Sequence, residues 1–338
     1  MSAPNAPLVV SLGDPAGVGP EIIAQAWKVL RRTDLTFAVL GDQDLLARLA
    51  PVAAIETLAD ACDTFPAALP VLHRPVGAPV EAGRSDPAHA RAILSWIEEG
   101  VSLSLSGQAA GLVTAPIAKA PLYQAGFQFP GHTEYLADLT AKVATTGPRG
   151  PIMLLATDAL RVALATIHIP LAKVPAALSS SAIVQTGRVL HYALRSDFGV
   201  PSPRLALAGL NPHAGEGGAI GREEIDIINP AAAQLRAEGV DCTDAKPADS
   251  LFHADARRTY DGVIGLYHDQ ALIPIKTLDF WGGVNATLGL PIVRTSPDHG
   301  VGYDIAGKGV ARADSLIASL RLARQMAQNR AAYREAGR

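Results

Sequence analysis

Between Gly265 and Gly300 the sequence reads GLYHDQALIPIKTLDFWGGVNATLGLPIVRTSPDHG, and its polar residues are of the kinds that hold metals and anions. His268 stands beside Asp269, Lys276 and Arg294 are cations, Asn285 is an amide, and Asp298 and His299 close the stretch. Apolar runs and glycines separate them, a pattern that lets strand-borne side chains and turn residues converge on a cleft. Imidazole and carboxylate are ligands for a divalent metal, whereas ammonium, guanidinium and amide groups donate to an anion. A small anionic substrate held against a metal ion is the chemistry this set fits. The plain alternative makes Lys276 and Arg294 solvated surface charges and His268 a hydrogen-bonded core histidine.

Such residues need elements to position them. RVALATIHIP (161–170), LALAGLNPHAGEGG (205–218) and GVIGLYHDQ (262–270) each read as an apolar strand that ends at a histidine: His168, His213 and His268. Ligands of open α/β sheets bind at the C-terminal ends of strands. Three imidazoles with an open position also describe a catalytic divalent-metal site, with satisfied loop histidines as the alternative. Glu216 falls with His213 after the second of these strands, and KPADSLF (246–252) presents Asp249 in a loop. IMLLAT (152–157) precedes the first of them as the other arm of a hairpin turning at Asp158-Ala159. FPGHTEYLADLT places His132 and Thr133 at the mouth of a helix, where free backbone N–H groups bind anions, or where Thr133 is an ordinary cap. GLVTAP (111–116) is a strand leading into a loop that carries Lys119. The segment PLVVSLGDPAGVGPEII (7–23) is strand, glycine turn and helix. Its glycines Gly13, Gly17 and Gly19 do not have the G-x-G-x-x-G spacing of a dinucleotide fingerprint. FAVLG (37–41) and Leu69–His73 read as further strands, and Asp86-Pro87 opens a long helix ending near Gly107. His73, His89 and His191 read as surface residues. A glycine-rich loop, DHGVGYDIAGKG, leads to a closing amphipathic helix with Leu316, Ile317, Leu320 and Ala323 on its buried face.

A chain of 338 residues exceeds a single core and points to two domains. At 49% apolar and 18% charged it can fill a large interior, chiefly with aliphatic residues, since aromatics make up only 5%. A net charge of -3, with neither a basic patch nor a basic tail, argues against nucleic acid or a membrane surface as partner. Cys62 and Cys242 lack the spacing of a disulfide framework or a zinc site. No signal segment or membrane-length apolar run is read, so a cytoplasmic protein is expected.

The segments GDPAGVGPEI, PGHTEYLA, IHIPL, LNPHAGEGG, IGREE, PADSLF, GLYHDQALIPIK, NATLGLPIVRTSPDHG and DIAGKG succeed one another from about residue 8 to 325. In this the chain closely resembles the 4-hydroxythreonine-4-phosphate dehydrogenase (PdxA) family of pyridoxal phosphate biosynthesis. GDPAGVGPE and SPDHGVGYDIAGKG are, more distantly, similar to cofactor-side loops of isopropylmalate and isocitrate dehydrogenases. The resemblance implies two α/β/α domains around a central cleft, without a Rossmann motif. Residues 1–128 with 302–338 would form the first α/β domain. Residues 129–301 would form the second, carrying most metal and substrate residues and the interface of a homodimer whose active sites draw on both subunits. It implies His168, His213 and His268 as ligands of a divalent ion (zinc, magnesium or cobalt), and His132, Thr133, Lys276, Asn285 and Arg294 as substrate contacts. Gly13, Asp298, His299 and Asp304 would flank NAD or NADP. Asp249, Asp269 or a water would serve as base, with Lys276 beside the reacting atoms. The implied reaction oxidises 4-phosphooxy-L-threonine to a β-keto acid that loses carbon dioxide. Relatives that oxidise threonate or erythronate 4-phosphate, or an aromatic cis-dihydrodiol acid, are the alternatives within the family. A class II aldolase or a metal-dependent phosphate-ester hydrolase would use the same histidines and cations without NAD. The DHG…DIAGKG loop speaks for the dehydrogenase, and so many reactive groups speak against a non-catalytic binding protein. Two departures stand out: Ala118, where the family has a polar residue, and Val301-Gly302, where it has Thr-Ala.

Overall fold

A computed structural model describes residues 6–337. Among these the strands run β1 (Leu8–Ser11), β2 (Phe37–Gly41), β3 (Val52–Ala54), β4 (Leu69–His73), β5 (Leu112–Thr114), β6 (Ile152–Ala156), β7 (Arg161–Leu164), β8 (Arg204–Ala208), β9 (Asp241–Lys246), β10 (Gly262–Gly265), β11 (Val284–Leu288) and β12 (Arg294–Pro297). The chain separates into two compact units, one up to Val143 with Pro291–Ala331, the other Ala144–Leu290 with the chain from Ala332 on. Their seams fall at 143/144 and 290/291, where 128/129 and 301/302 were expected.

In the first unit the strands lie side by side as β3-β4-β2-β1-β5-β12, all parallel. Every residue of β1, β2 and β5 is buried. Burial without alternation means that both faces are covered, which parallel sheets require because their helical crossovers pack on them. The helices Gly19–Leu30 and Ala90–Leu105 supply the two largest core side chains, Trp27 and Trp96. Each buried indole still satisfies its N–H, Trp27 on the Phe65 carbonyl (2.9 Å) and Trp96 on that of Arg74 (3.2 Å). His89 corrects its surface reading. It is buried at the entry of the long helix, with Nε2 2.9 Å from the Pro79 carbonyl. His73 is half-buried, and its Nδ1 accepts from the Gln43 N–H.

The second unit has the order β11-β6-β7-β10-β8-β9. Strands β7, β10, β8 and β9 are parallel, and β6 and β11 join antiparallel, β6 through the expected hairpin with β7. The sheet is therefore mixed. Its core gathers Leu155, Val162, Leu164, Ala206, Val263 and Ile275. Helix Ser180–Ser196 begins at Ser179, whose side chain accepts from the Ala182 N–H as a cap. After β10 the chain turns directly into a helix at His268. Residues His268–Leu278 form a helix despite Pro274, and Lys276 sits in its last turn. Asp249, expected in a loop, lies on the short helix Ala248–Leu251. Among the described residues no helix is long and apolar enough to cross a membrane.

Candidate active site

Two chemically distinct constellations stand out, one in each unit. In the first unit, β5 and β12 run parallel with Arg294 opposite Leu112. This register brings the Arg294 guanidinium to Thr114, whose hydroxyl accepts from it at 2.7 Å. Arg294 is 1% exposed, so it is no solvated surface charge, and burial draws its pKa down to about 10. The helix His132–Leu139 begins beside it, after an extended Gly131, with Thr133 buried in its first turn. His132 is half-exposed as a residue, but its Nε2 is shut away without a hydrogen-bond partner. Burial holds the imidazole well below its usual pKa, and the charges of Arg294 and Lys119 add to the effect. Lys119 was not among the expected contacts. Its Nζ lies 3.6 Å from where a Gly131 side chain would begin, which places the ammonium at the start of this helix. A neutral imidazole nitrogen, two cations and the free N–H groups of a helix start make a cradle for a dianion.

The protonation of His132 reports on that cradle. Because its folded pKa lies below the unfolded value of about 6.5, the unfolded chain binds more protons as the pH falls through that value, and stability is lost there. A bound phosphate would offset the two cations and raise the pKa. Sulfate, a dianion throughout this range, is therefore expected to bind with proton uptake, and more tightly in acid than at pH 8. Calorimetry in buffers of different ionisation enthalpy measures the uptake, and binding without it would show that the anion does not meet His132.

Loop 298–309 packs on the turn 13–21 within the same unit, which gathers the expected cofactor residues. Gly13 has φ +75°, and a side chain there would meet the Pro116 carbonyl at 2.6 Å. Val18 N–H donates to the Val301 carbonyl, Tyr303 O–H to Asp14 (2.5 Å), and Gly307 N–H to Glu21 (2.5 Å). His299 keeps a buried Nε2 without a hydrogen-bond partner, Asp298 N–H donates to Ser315, and Asp304 is exposed. The Val301-Gly302 departure lies on this seam, with Gly302 at φ +57° against Val18. Ala118, the other departure, is the residue before helix Lys119–Gln124 and offers it no side-chain cap.

In the second unit His168 and His268 stand side by side, ring centroids 5.6 Å apart. They line a pocket of about 290 Å³ with Asp269, Tyr267, Ile167 and Leu171. Nδ1 of His268 is 2.7 Å from a carboxylate oxygen of Asp269. That contact engages Nδ1 and leaves Nε2 as the nitrogen for a metal, the arrangement a metal-ligating histidine needs. The donor chemistry therefore fits a divalent ion. Within one chain the set is partial. Among the described residues no group of three or more His, Cys, Asp or Glu side chains could hold a metal, so His213 is not brought to the other pair. His213 is exposed, as are His168 and Asp249. Lys276 carries its ammonium 5.0 Å above the Phe280 ring, and Asn285 on β11 has a buried Oδ1 without a hydrogen-bond partner.

A family model described as pyridoxal phosphate biosynthetic protein PdxA matches residues 33–323. The chain belongs to the PdxA family. It is 62% identical over 327 residues to the 4-hydroxythreonine-4-phosphate dehydrogenase of Caulobacter vibrioides, covering 96% of this chain and 98% of that protein. Among solved structures it is similar to a 4-hydroxythreonine-4-phosphate dehydrogenase from Klebsiella pneumoniae (TM-score 0.84, 38% identity, 96% of this chain and 100% of that one). An isocitrate dehydrogenase from Methylococcus capsulatus shares the fold alone, at 13% identity and TM-score 0.50 over 98% and 88% of the two chains. The expected likeness of PdxA proteins to that dehydrogenase fold is borne out, and so is the family resemblance.

Proposed function

We propose that the chain is a 4-hydroxythreonine-4-phosphate dehydrogenase, a cytoplasmic oxidoreductase of pyridoxal phosphate biosynthesis. It oxidises 4-phosphooxy-L-threonine to 2-amino-3-oxo-4-phosphooxybutanoate, which loses carbon dioxide to give 3-amino-2-oxopropyl phosphate. The observation that carries this reading is the cradle of Arg294, Lys119, His132 and Thr133, built for a phosphate dianion in a chain whose relatives bear that activity.

His168, His213 and His268 would hold a divalent zinc, magnesium or cobalt ion, with Asp269 orienting His268. Bound there, such an ion would supply Lewis-acid polarisation of the substrate's secondary hydroxyl, and Gly13, Asp298, His299 and Asp304 would hold the NAD or NADP that supplies the redox chemistry. Asp269 is engaged with a histidine, which leaves Asp249, or a water, to take the hydroxyl proton. The carbon–carboxylate bond of the β-keto acid then breaks, and its electrons pass into the adjacent ketone. The Lys276 ammonium is the cation that stabilises the developing enolate, and Asn285 donates to the substrate.

The second unit carries the metal residues and the homodimer interface in this reading. Ile273, Phe280 and Trp281, 64%, 58% and 49% exposed, lie on the Lys276 helix and the turn after it, and Ile169 and Leu171 flank His168. Exposed large apolar side chains in this number, with Phe280 and Trp281 packed together, mark an association surface. A second copy covers it, and metal ligands come from both subunits, so His213 of one chain completes a histidine pair. Sedimentation is expected to give a dimer, and Trp281→Glu with Phe280→Glu a monomer without activity. A fully active monomer would contradict the arrangement. The function itself is tested by NADH formation from 4-phosphooxy-L-threonine, expected to stop on chelation and to return with added divalent ion. Turnover indifferent to chelators would overturn the metal-dependent reading.

A further inference from the structure

We propose that Gln270 is the positioning residue of the histidine site, its side-chain amide locking together the strand ends from which His268 and His213 depart. The inference rests on the metal reading above and deepens it. Gln270 lies on the first turn of the helix after β10 and is 6% exposed. Its Oε1 accepts from the Leu266 N–H at 2.7 Å, at the end of β10. Its Nε2 donates to the Gly209 carbonyl at 2.7 Å, at the end of β8, 61 residues away. The Leu266 carbonyl in turn accepts from the Thr166 hydroxyl (2.6 Å), two residues before His168. One buried chain of hydrogen bonds thus joins the roots of all three histidine-bearing loops.

The chemistry of the position requires both halves of an amide. Leu266 presents a donor and Gly209 an acceptor, and a neutral carboxamide answers both, whereas a carboxylate only accepts. Beyond Gly209 a second buried group takes over. Glu224, 2% exposed, accepts from the Leu210 N–H (2.8 Å), the Asn211 N–H (2.7 Å) and the Asn211 side chain (2.9 Å). The backbone then turns left-handed through His213, Ala214 and Glu216, at φ 52°, 51° and 45°. Three such non-glycine residues persist only where the surroundings over-determine them. The anchored strand end is what holds His213 in this conformation.

The test is titration of zinc into the metal-free, full-length protein, read by calorimetry. Gln270→Met, close in volume and without hydrogen-bonding atoms, is expected to weaken zinc binding about 10- to 100-fold, the range for partners that orient metal ligands. NAD affinity is expected to stay as in the unaltered protein. Thr186→Val removes a buried hydroxyl bonded to the Ala182 carbonyl elsewhere in this unit and is expected to lower thermal stability without weakening zinc. Thr166→Val should weaken zinc in the same direction as Gln270→Met and decides the matter if that variant does not fold. Zinc affinity unchanged in Gln270→Met, or in Thr166→Val where it must stand in, would overturn the proposal. Zinc affinity reduced as much by Thr186→Val would also overturn it, by showing that loss of stability suffices. An unaltered protein that bound no divalent ion would overturn the metal reading, and this proposal with it.

Discussion

Replacing Arg294 with alanine is expected to lower kcat/KM for the phosphorylated substrate by about two to four orders of magnitude. Arg294 is buried, and its charge is held against desolvation, as the fall of its pKa to about 10 records. At about 1.4 kcal/mol per unit, this depression corresponds to a cost of about 3 kcal/mol for keeping the cation inside. A folded protein bears such a cost where the charge meets an anion in the working state. Each hydrogen bond from a charged donor contributes about 1.5–3 kcal/mol, and a guanidinium fork makes two, so the loss converts to the stated decades. Arg294→Leu fills the space without the charge, and the metal-free protein should be as stable as the original or more so. Thermal unfolding alongside steady-state kinetics separates the two effects. Activity retained in Arg294→Ala would show that the guanidinium serves only the fold.

His268→Ala is expected to lose the divalent ion and at least about two orders of magnitude in kcat, since Lewis-acid stabilisation contributes several kcal/mol. Its ring is fixed by Asp269 and faces His168 across 5.6 Å. Asp269→Asn keeps the size but weakens that contact, so a smaller loss of metal affinity, about 10- to 100-fold, should follow. Metal content by elemental analysis checks both variants. Full metal occupancy and turnover in His268→Ala would remove it from the ligand set.

How much of this was legible in the sequence depended on the range of the interaction. Local signals were sufficient where they acted alone: FAVLG is a strand from Phe37 to Gly41, and the arms 152–157 and 161–170 do form a hairpin through β6 and β7. Two histidines at strand ends, His168 and His268, were read from that context and lie together. The helix that carries Lys276 has no clear local signal, because its ALIPI run is apolar and holds Pro274, whose ring is accommodated inside the helix. His89 was read as exposed because nothing local announces the Pro79 carbonyl that receives its ring. Lys119 was missed for the same reason. Only folding places it beside Gly131 and His132, and the strand-to-loop position after GLVTAP was the one hint. The left-handed turn at His213 is signalled only by the glycines of PHAGEGG, and nothing local announces that Ala214 and Glu216 join it.

The central claim is that the buried cationic cradle recognises a phosphate ester in an NAD-linked oxidation. A steady-state comparison of 4-phosphooxy-L-threonine with 4-hydroxythreonine on the unaltered enzyme tests it most directly. Loss of two or three charge-assisted hydrogen bonds should lower kcat/KM for the dephosphorylated compound by about two to five orders of magnitude. Near-equal values for the two compounds would show that Arg294, Lys119 and His132 serve some other group, and would contradict the account.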